Sequence, residues 1–150
     1  MKNTISLELI IDAEPLKVWQ TLTQPEYVKN YFYGSLLKTS WEEGSSIAFY
    51  NDQEDQPLKL VHGKVLKYKK EKILSHTLFP STATYKDQLK NHLTVTYKLQ
   101  DLIGKTQLII EQSGFERVEQ GYSRYQSSII GWDHSLPLIK EIAESIEDIF

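Results

Sequence analysis

The chain has 150 residues, of which 40% are apolar and 25% charged, and a formal net charge of −3. This is enough chain for one domain with a hydrophobic core. A negative balance lacks the positive surface that non-specific binding to nucleic acid or an anionic membrane requires. There is no cysteine, so disulfides, thiolate metal sites, iron–sulfur clusters and cysteine nucleophiles are excluded.

In "MKNTISLELIID", Ile5, Leu7, Leu9 and Ile11 alternate with Ser6, Glu8 and Asp12, and only Ile10 breaks the pattern. Period two predicts a first strand with one buried face. The same stretch has no continuous apolar core and no small-residue cleavage site, so it does not read as a signal peptide. No segment approaches the roughly 20 apolar residues of a membrane span. A cytoplasmic location without a membrane partner is the expectation.

"DAEPLKVWQTL" predicts a short helix opened by Pro15, because the first helical N–H needs no partner. Val18, Trp19 and Leu22 share one of its faces. "TQPEYVKNYF" repeats the device, with Pro25 at the start and Val28, Tyr31 and Phe32 on one side. Helices this short are unstable alone in water and must pack on a sheet.

From Ser35 to about Gly114 the chain reads as antiparallel hairpins. Ile47 and Phe49 face together in "SSIAFYN", and "NDQEDQP" is an acidic loop without the central glycine of a calcium loop. "LKLVHGKVLKY" alternates untidily. Val61, Gly63 and Val65 keep one register and Leu66 and Tyr68 break it, which points to a bulge or bend. In "ILSHTLF", Leu74, His76 and Leu78 share a face. "PSTATYKDQLK" is a long loop. Leu93, Val95, Tyr97 and Leu99 face together in the next strand, and "KTQLIIEQSGF" is the last. The lysines of "KVLKYKKEK" read as a solvated hairpin tip that also discourages edge pairing.

A long helix is expected from Tyr122 or Ser123 to about Glu147. Tyr125, Ile129, Trp132, Leu136, Ile139, Ala143, Ile146 and Phe150 recur at alternating steps of four and three, which is one apolar stripe. Gly131 and Pro137 interrupt it at about 1 and 3 kcal/mol. Each large apolar residue buried returns roughly 1.5–3 kcal/mol, so the stripe must press on something extensive. Pro137 is expected to kink the helix, because it removes the bond to the Asp133 carbonyl. Helices set on one face of an antiparallel sheet make an α+β fold.

Four stretches, taken in order, resemble a known family: "PLKVWQTLTQPEYV", "WEEGSSIAF", "HGKVLKYKKEKILSHTL", and "GKTQLIIEQSGF" with "GWDHSLPLIKEI" after it. Together they are similar to the AHSA-type branch of the START-like (SRPBCC) superfamily, and the likeness covers nearly all of residues 1–150 as one domain. It implies a helix-grip fold, in which a curved antiparallel sheet of six or seven strands wraps a long C-terminal helix. It also implies an apolar cavity between the two. The function implied is that of a binding protein for a small apolar or amphipathic ligand, a lipid or aromatic metabolite, with a link to stress. The resemblance allows two alternatives: an accessory of the ninety-kilodalton heat-shock chaperone, or a cyclase- or aromatase-like enzyme. A monomer or weak dimer is expected.

The residues expected to line the cavity are Trp132, Ile129, Leu136, Tyr125, His76, Tyr97, Phe49 and Tyr33. His76 reads either as a core histidine satisfied by hydrogen bonds or as a polar anchor in an apolar pocket. Trp132 reads as core packing or as cavity wall, whereas Trp19 and Trp41 read as structural. Gly-x-Ser-x-Gly, His-Glu-x-x-His and phosphate-loop patterns are all missing, so no catalytic residue is assigned. The separations of His62, His76, His92 and His134 match no common metal motif, so neither a metal nor a cofactor is assigned.

Overall fold

The alternation at the start of the chain becomes an edge strand, β1 (Thr4–Ile11), with Ile5 and Ile11 buried and Ile10 turned out to solvent. The computed structural model describes residues 3–53 and 55–148. Phe150 of the helical stripe and Glu54 of the acidic loop therefore lie outside the described residues.

Two short helices come next, α1 (Pro15–Thr23) and α2 (Pro25–Tyr31), each with proline in its first turn. Val18, Trp19 and Leu22 are buried on α1, and Val28 and Tyr31 on α2. Six more strands complete the sheet: β2 (Leu36–Thr39), β3 (Ser46–Tyr50), β4 (Lys59–Lys69), β5 (Ile73–Pro80), β6 (Leu93–Asp101) and β7 (Thr106–Ser113). The seven strands form one antiparallel sheet in the order β1-β7-β6-β5-β4-β3-β2. The first two strands in sequence are thus its two edges, and α1 and α2 carry the chain from one edge to the other.

The untidy pattern in β4 has a local cause. Val65 pairs with His76 and Lys67 with Ser75, so Leu66 is left without a partner in a bulge. The extra residue reverses the phase of the rest of the strand. Leu66 points to solvent, and Tyr68 returns to the helix side, where its ring meets Trp19 edge-on at 5.2 Å. Gly63 has a different reason. A Cβ there would lie 1.9 Å from the Thr77 carbonyl oxygen, so only glycine fits between β4 and β5.

The long helix, α3, spans Gly121–Ser145 and runs unbroken through Pro137. Pro137 is on its exposed side, where a carbonyl without an N–H partner can meet water. Ile139 and Ala143 are fully buried among residues of α1, α2 and the sheet. Ser135 Oγ donates to the Tyr31 carbonyl at 2.9 Å, and Lys140 Nζ to the Ile10 carbonyl at 3.2 Å, pinning the helix to α2 and β1. The architecture is the expected helix-grip α+β fold: a curved seven-stranded antiparallel sheet around a long C-terminal helix, with two short helices after β1.

Candidate functional site

The two halves of α3 differ. Its C-terminal half inserts Ile139 and Ala143 into solid core. Its N-terminal half presents Ser128, Gly131, Trp132 and Ser135, and a cavity of about 180 Å³ lies between these and the sheet. Small residues at three of those four positions leave the space that larger side chains would fill. Leu74, His76 and Leu78 of β5, Val95 and Tyr97 of β6, Gln112 of β7, Phe49 of β3 and Val61 of β4 line the sheet side. Tyr31, Phe32 and Trp41 close it from the α2–β2 end.

The aromatic rings form a continuous wall. Phe32 lies 4.7 Å from Phe49, Phe49 lies 6.3 Å from His76, His76 stacks on Tyr97 at 6.5 Å, and Tyr97 meets Trp132 edge-on at 6.1 Å. Trp41 has a left-handed backbone (φ 62°), which is strained for a bulky residue. Its indole N–H donates to the Thr23 carbonyl at 3.1 Å and its ring stacks on Tyr68, which fixes it as the wall at that end.

Several polar groups interrupt the apolar lining. Trp132 Nε1–H donates to Gln112 Oε1 at 2.8 Å, and Ser135 is committed to Tyr31. His76 is buried, and its Nδ1 lies 2.8 Å from the Thr77 carbonyl, so Nδ1 carries the proton and Nε2 is an acceptor. Burial lowers the His76 pKa, outweighing the carbonyl contact that raises it, so the ring is neutral. Tyr97 is only partly covered because it borders the cavity, yet desolvation still pushes its phenol well above the ordinary value. Burial, and then the neighbouring Tyr97, raise Tyr31 likewise. Neither His76 Nε2 nor the Tyr97 hydroxyl has a hydrogen-bond partner among the described residues. Among the described residues, the lining contains no Lys, Arg, Asp or Glu.

Of the residues singled out in the sequence, Trp132, His76, Tyr97 and Phe49 meet around this cavity. The other four lie elsewhere. Leu136 packs against the main core, next to the cavity-lining Ser135. Tyr125 sits one turn past the cavity, edge-on to Phe115 at 5.2 Å in a second cluster with Ile5, Leu93 and Val118. Ile129 is 38% exposed and Tyr33 is 64% exposed, Tyr33 stacking on His134 at 4.9 Å. The i, i+3, i+4 stripe rotates slowly around a straight helix, so its N-terminal members drift off the face that α3 turns to the sheet.

Sequence reasoning missed Gln112, Tyr31, Phe32, Trp41 and the small residues of α3 as lining. Gln112 was readable: it continues the register of Leu108 and Ile110, and a polar side chain in that line must find a partner inside. Trp41 was not, because its position depends on the left-handed turn after β2.

Searching the curated proteins finds no match. Among solved structures, one from Cytophaga hutchinsonii is similar at 24% identity, with a TM-score of 0.73 over 96% of this chain and 95% of that one. A crystal structure from Mesorhizobium loti is similar at 21% identity and TM-score 0.75, over 97% and 99% of the two chains. An HSP90 activator from Plasmodium falciparum is similar at 13% identity and TM-score 0.70, over 94% and 96%. At these identities the likeness is one of fold. The family model described as "Activator of Hsp90 ATPase homolog 1-like protein" matches residues 12–144, and the chain belongs to that family.

Proposed function

We propose that this protein binds a small, neutral, largely apolar molecule in the cavity between the sheet and α3. The observation that carries this reading is an apolar enclosure with uncommitted polar atoms turned to it, His76 Nε2 and the Tyr97 hydroxyl among them. Pockets of this kind use a few placed polar groups to orient a ligand that apolar contact holds. A cavity of about 150 Å³ in another protein accommodates benzene. The 180 Å³ here fits a single-ring aromatic or a short branched chain. A hydroxyl on that ring can donate to His76 Nε2 and accept from Tyr97. With a neutral histidine and no cation in the lining, a fatty carboxylate would be buried without a counter-charge, which is unfavourable.

The test is a thermal-shift panel of phenols, single-ring hydrocarbons, short-chain alcohols and short fatty acids, on the wild type and on Leu78→Trp, which fills the space from β5. Neutral single-ring compounds should raise the wild-type Tm and leave Leu78→Trp unmoved. A panel that stabilises neither protein contradicts the reading.

A second reading, association with the ninety-kilodalton heat-shock chaperone, is supported by the family and by the likeness to the Plasmodium HSP90 activator. Its test is stimulation of the chaperone's ATPase by the purified chain; an unchanged rate with no co-purification ends it.

A further inference from the structure

On the face of the sheet turned away from α3, β4 and the segment between β5 and β6 bring together two histidines and a carboxylate with no partner role in the cavity. His62 Nε2 lies 2.7 Å from Asp87 Oδ2, and His92 Nε2 lies 2.7 Å from Asp87 Oδ1. We propose that His62, Asp87 and His92 form a binding site for one divalent transition-metal ion of the zinc class, held by the two Nε2 atoms and the Asp87 carboxylate.

The donor set is the first argument. Imidazole nitrogens with one carboxylate suit zinc, cobalt, nickel or iron(II) and are poor for magnesium or calcium. The three donor atoms lie within 4.8 Å of one another. Tetrahedral metal–ligand bonds of about 2.0–2.1 Å separate ligand atoms by about 3.3 Å. An entering ion therefore asks the carboxylate to withdraw by roughly half an ångström. Asp87 can give this, since its side chain is 51% exposed while those of His62 and His92 are 24% and 12% exposed. The water-facing side leaves the remaining coordination position open.

The second argument is the support behind each ring. A metal-bound histidine offers one nitrogen to the ion and donates the other N–H to a partner that fixes its orientation. His62 Nδ1 lies 2.6 Å from Ser81 Oγ, and His92 Nδ1 lies 3.3 Å from Thr77 Oγ1. Both hydroxyls can accept. Thr77 Oγ1 also accepts the Lys64 N–H at 2.9 Å, and a hydroxyl oxygen has two lone pairs. Phe79 is the common floor, 5.5 Å from the His62 ring and stacked under His92 at 5.1 Å.

The third argument is that the supporting segment is held in place. Asn91 is fully buried and its side chain bonds Glu119 and the Lys86 carbonyl, each at 2.9 Å. Arg117 Nη1 donates to the carbonyls of Lys90 and His92, and Arg124 Nη1 to that of Asn91. An ion here would staple the 81–92 segment to β4, on the opposite side of the sheet from the cavity.

The experiment is calorimetric titration of the chelator-stripped full chain with zinc chloride, with cobalt(II) chloride as an absorbance probe. One equivalent should bind saturably, and cobalt should give visible ligand-field bands. Asp87→Asn and His92→Gln should each weaken uptake at least tenfold, while His134→Gln on the exposed side of α3 should not change it. Should either ligand variant fail to fold by circular dichroism, the wild type decides: zinc must shift the Nε2 resonances of His62 and His92 and leave those of His76 in place. No saturable uptake up to about 1 mM zinc overturns the proposal. So does uptake that survives in both folded variants, or Nε2 resonances that do not move.

Discussion

Trp132 on α3 donates its indole N–H to Gln112 Oε1 on β7 at 2.8 Å, joining the helix to the sheet across the roof of the cavity. Gln112 is 3% exposed, so the oxygen has no water to replace a lost partner. Trp132→Phe should therefore destabilise the protein by about 1–3 kcal/mol in urea unfolding. Gln112→Leu alone, which strands the indole N–H, should do the same. The double variant should recover part of the sum, because both unpaired groups are gone. Additive losses would mean that the two side chains do not act as a pair.

The grip of α3 depends on which side of it faces in. Ile139 is fully buried, whereas Ile129 is exposed, although both fall on the stripe written in the sequence. Ile139→Ala should cost about 2–5 kcal/mol, and Ile129→Ala no more than about 0.5 kcal/mol. Equal losses from denaturant midpoints would show α3 rotated from the orientation described.

The same helix marks how far the sequence could be read. The existence of α3, the two proline-opened helices, the first strand and the helix-grip arrangement were legible, because period and resemblance agree over long stretches. The stripe located the helix but not its rotation over the sheet, which is set by Ser135 bonding Tyr31 and by Trp132 bonding Gln112. Leu66 shows a second limit. Its bulge reverses the facing of Tyr68, and only the pairing of β4 with β5 fixes where the extra residue falls. The meeting of His62, Asp87 and His92 shows a third. They are separated by 25 and 5 residues and converge only because the 81–92 segment folds back over the outer face of the sheet.

Gly63 tests the sheet directly. Its place against the Thr77 carbonyl is a matter of contact with backbone, which cannot swing away as a flexible side chain could. Gly63→Ala should force β4 and β5 apart and destabilise by about 3 kcal/mol, the upper end of overpacking costs. A neutral substitution would show that the two strands are further apart than described.

His76 gives the stability a dependence on pH. Its folded pKa is below the unfolded 6.5, so the unfolded chain takes up the proton first as pH falls. The contribution of the neutral, buried ring is thus present above pH 6.5 and is lost as pH falls from there toward the lowered folded pKa. One such group gives a slope of up to about 1.4 kcal/mol per pH unit. His76→Gln should flatten the urea-derived stability profile between about pH 7 and pH 5.5 relative to the wild type. Parallel profiles would show that His76 is not buried as a neutral ring.

The cavity under α3 is the centre of the functional reading, and the indole N–H of Trp132 reports from its roof. Titration of nitrogen-15-labelled protein with a neutral single-ring phenol should move that resonance together with the amides of His76, Tyr97 and Gln112, along one saturation curve. Shifts confined to exposed residues such as Tyr33 and Ile129, with the Trp132 resonance unmoved at saturating phenol, would contradict it.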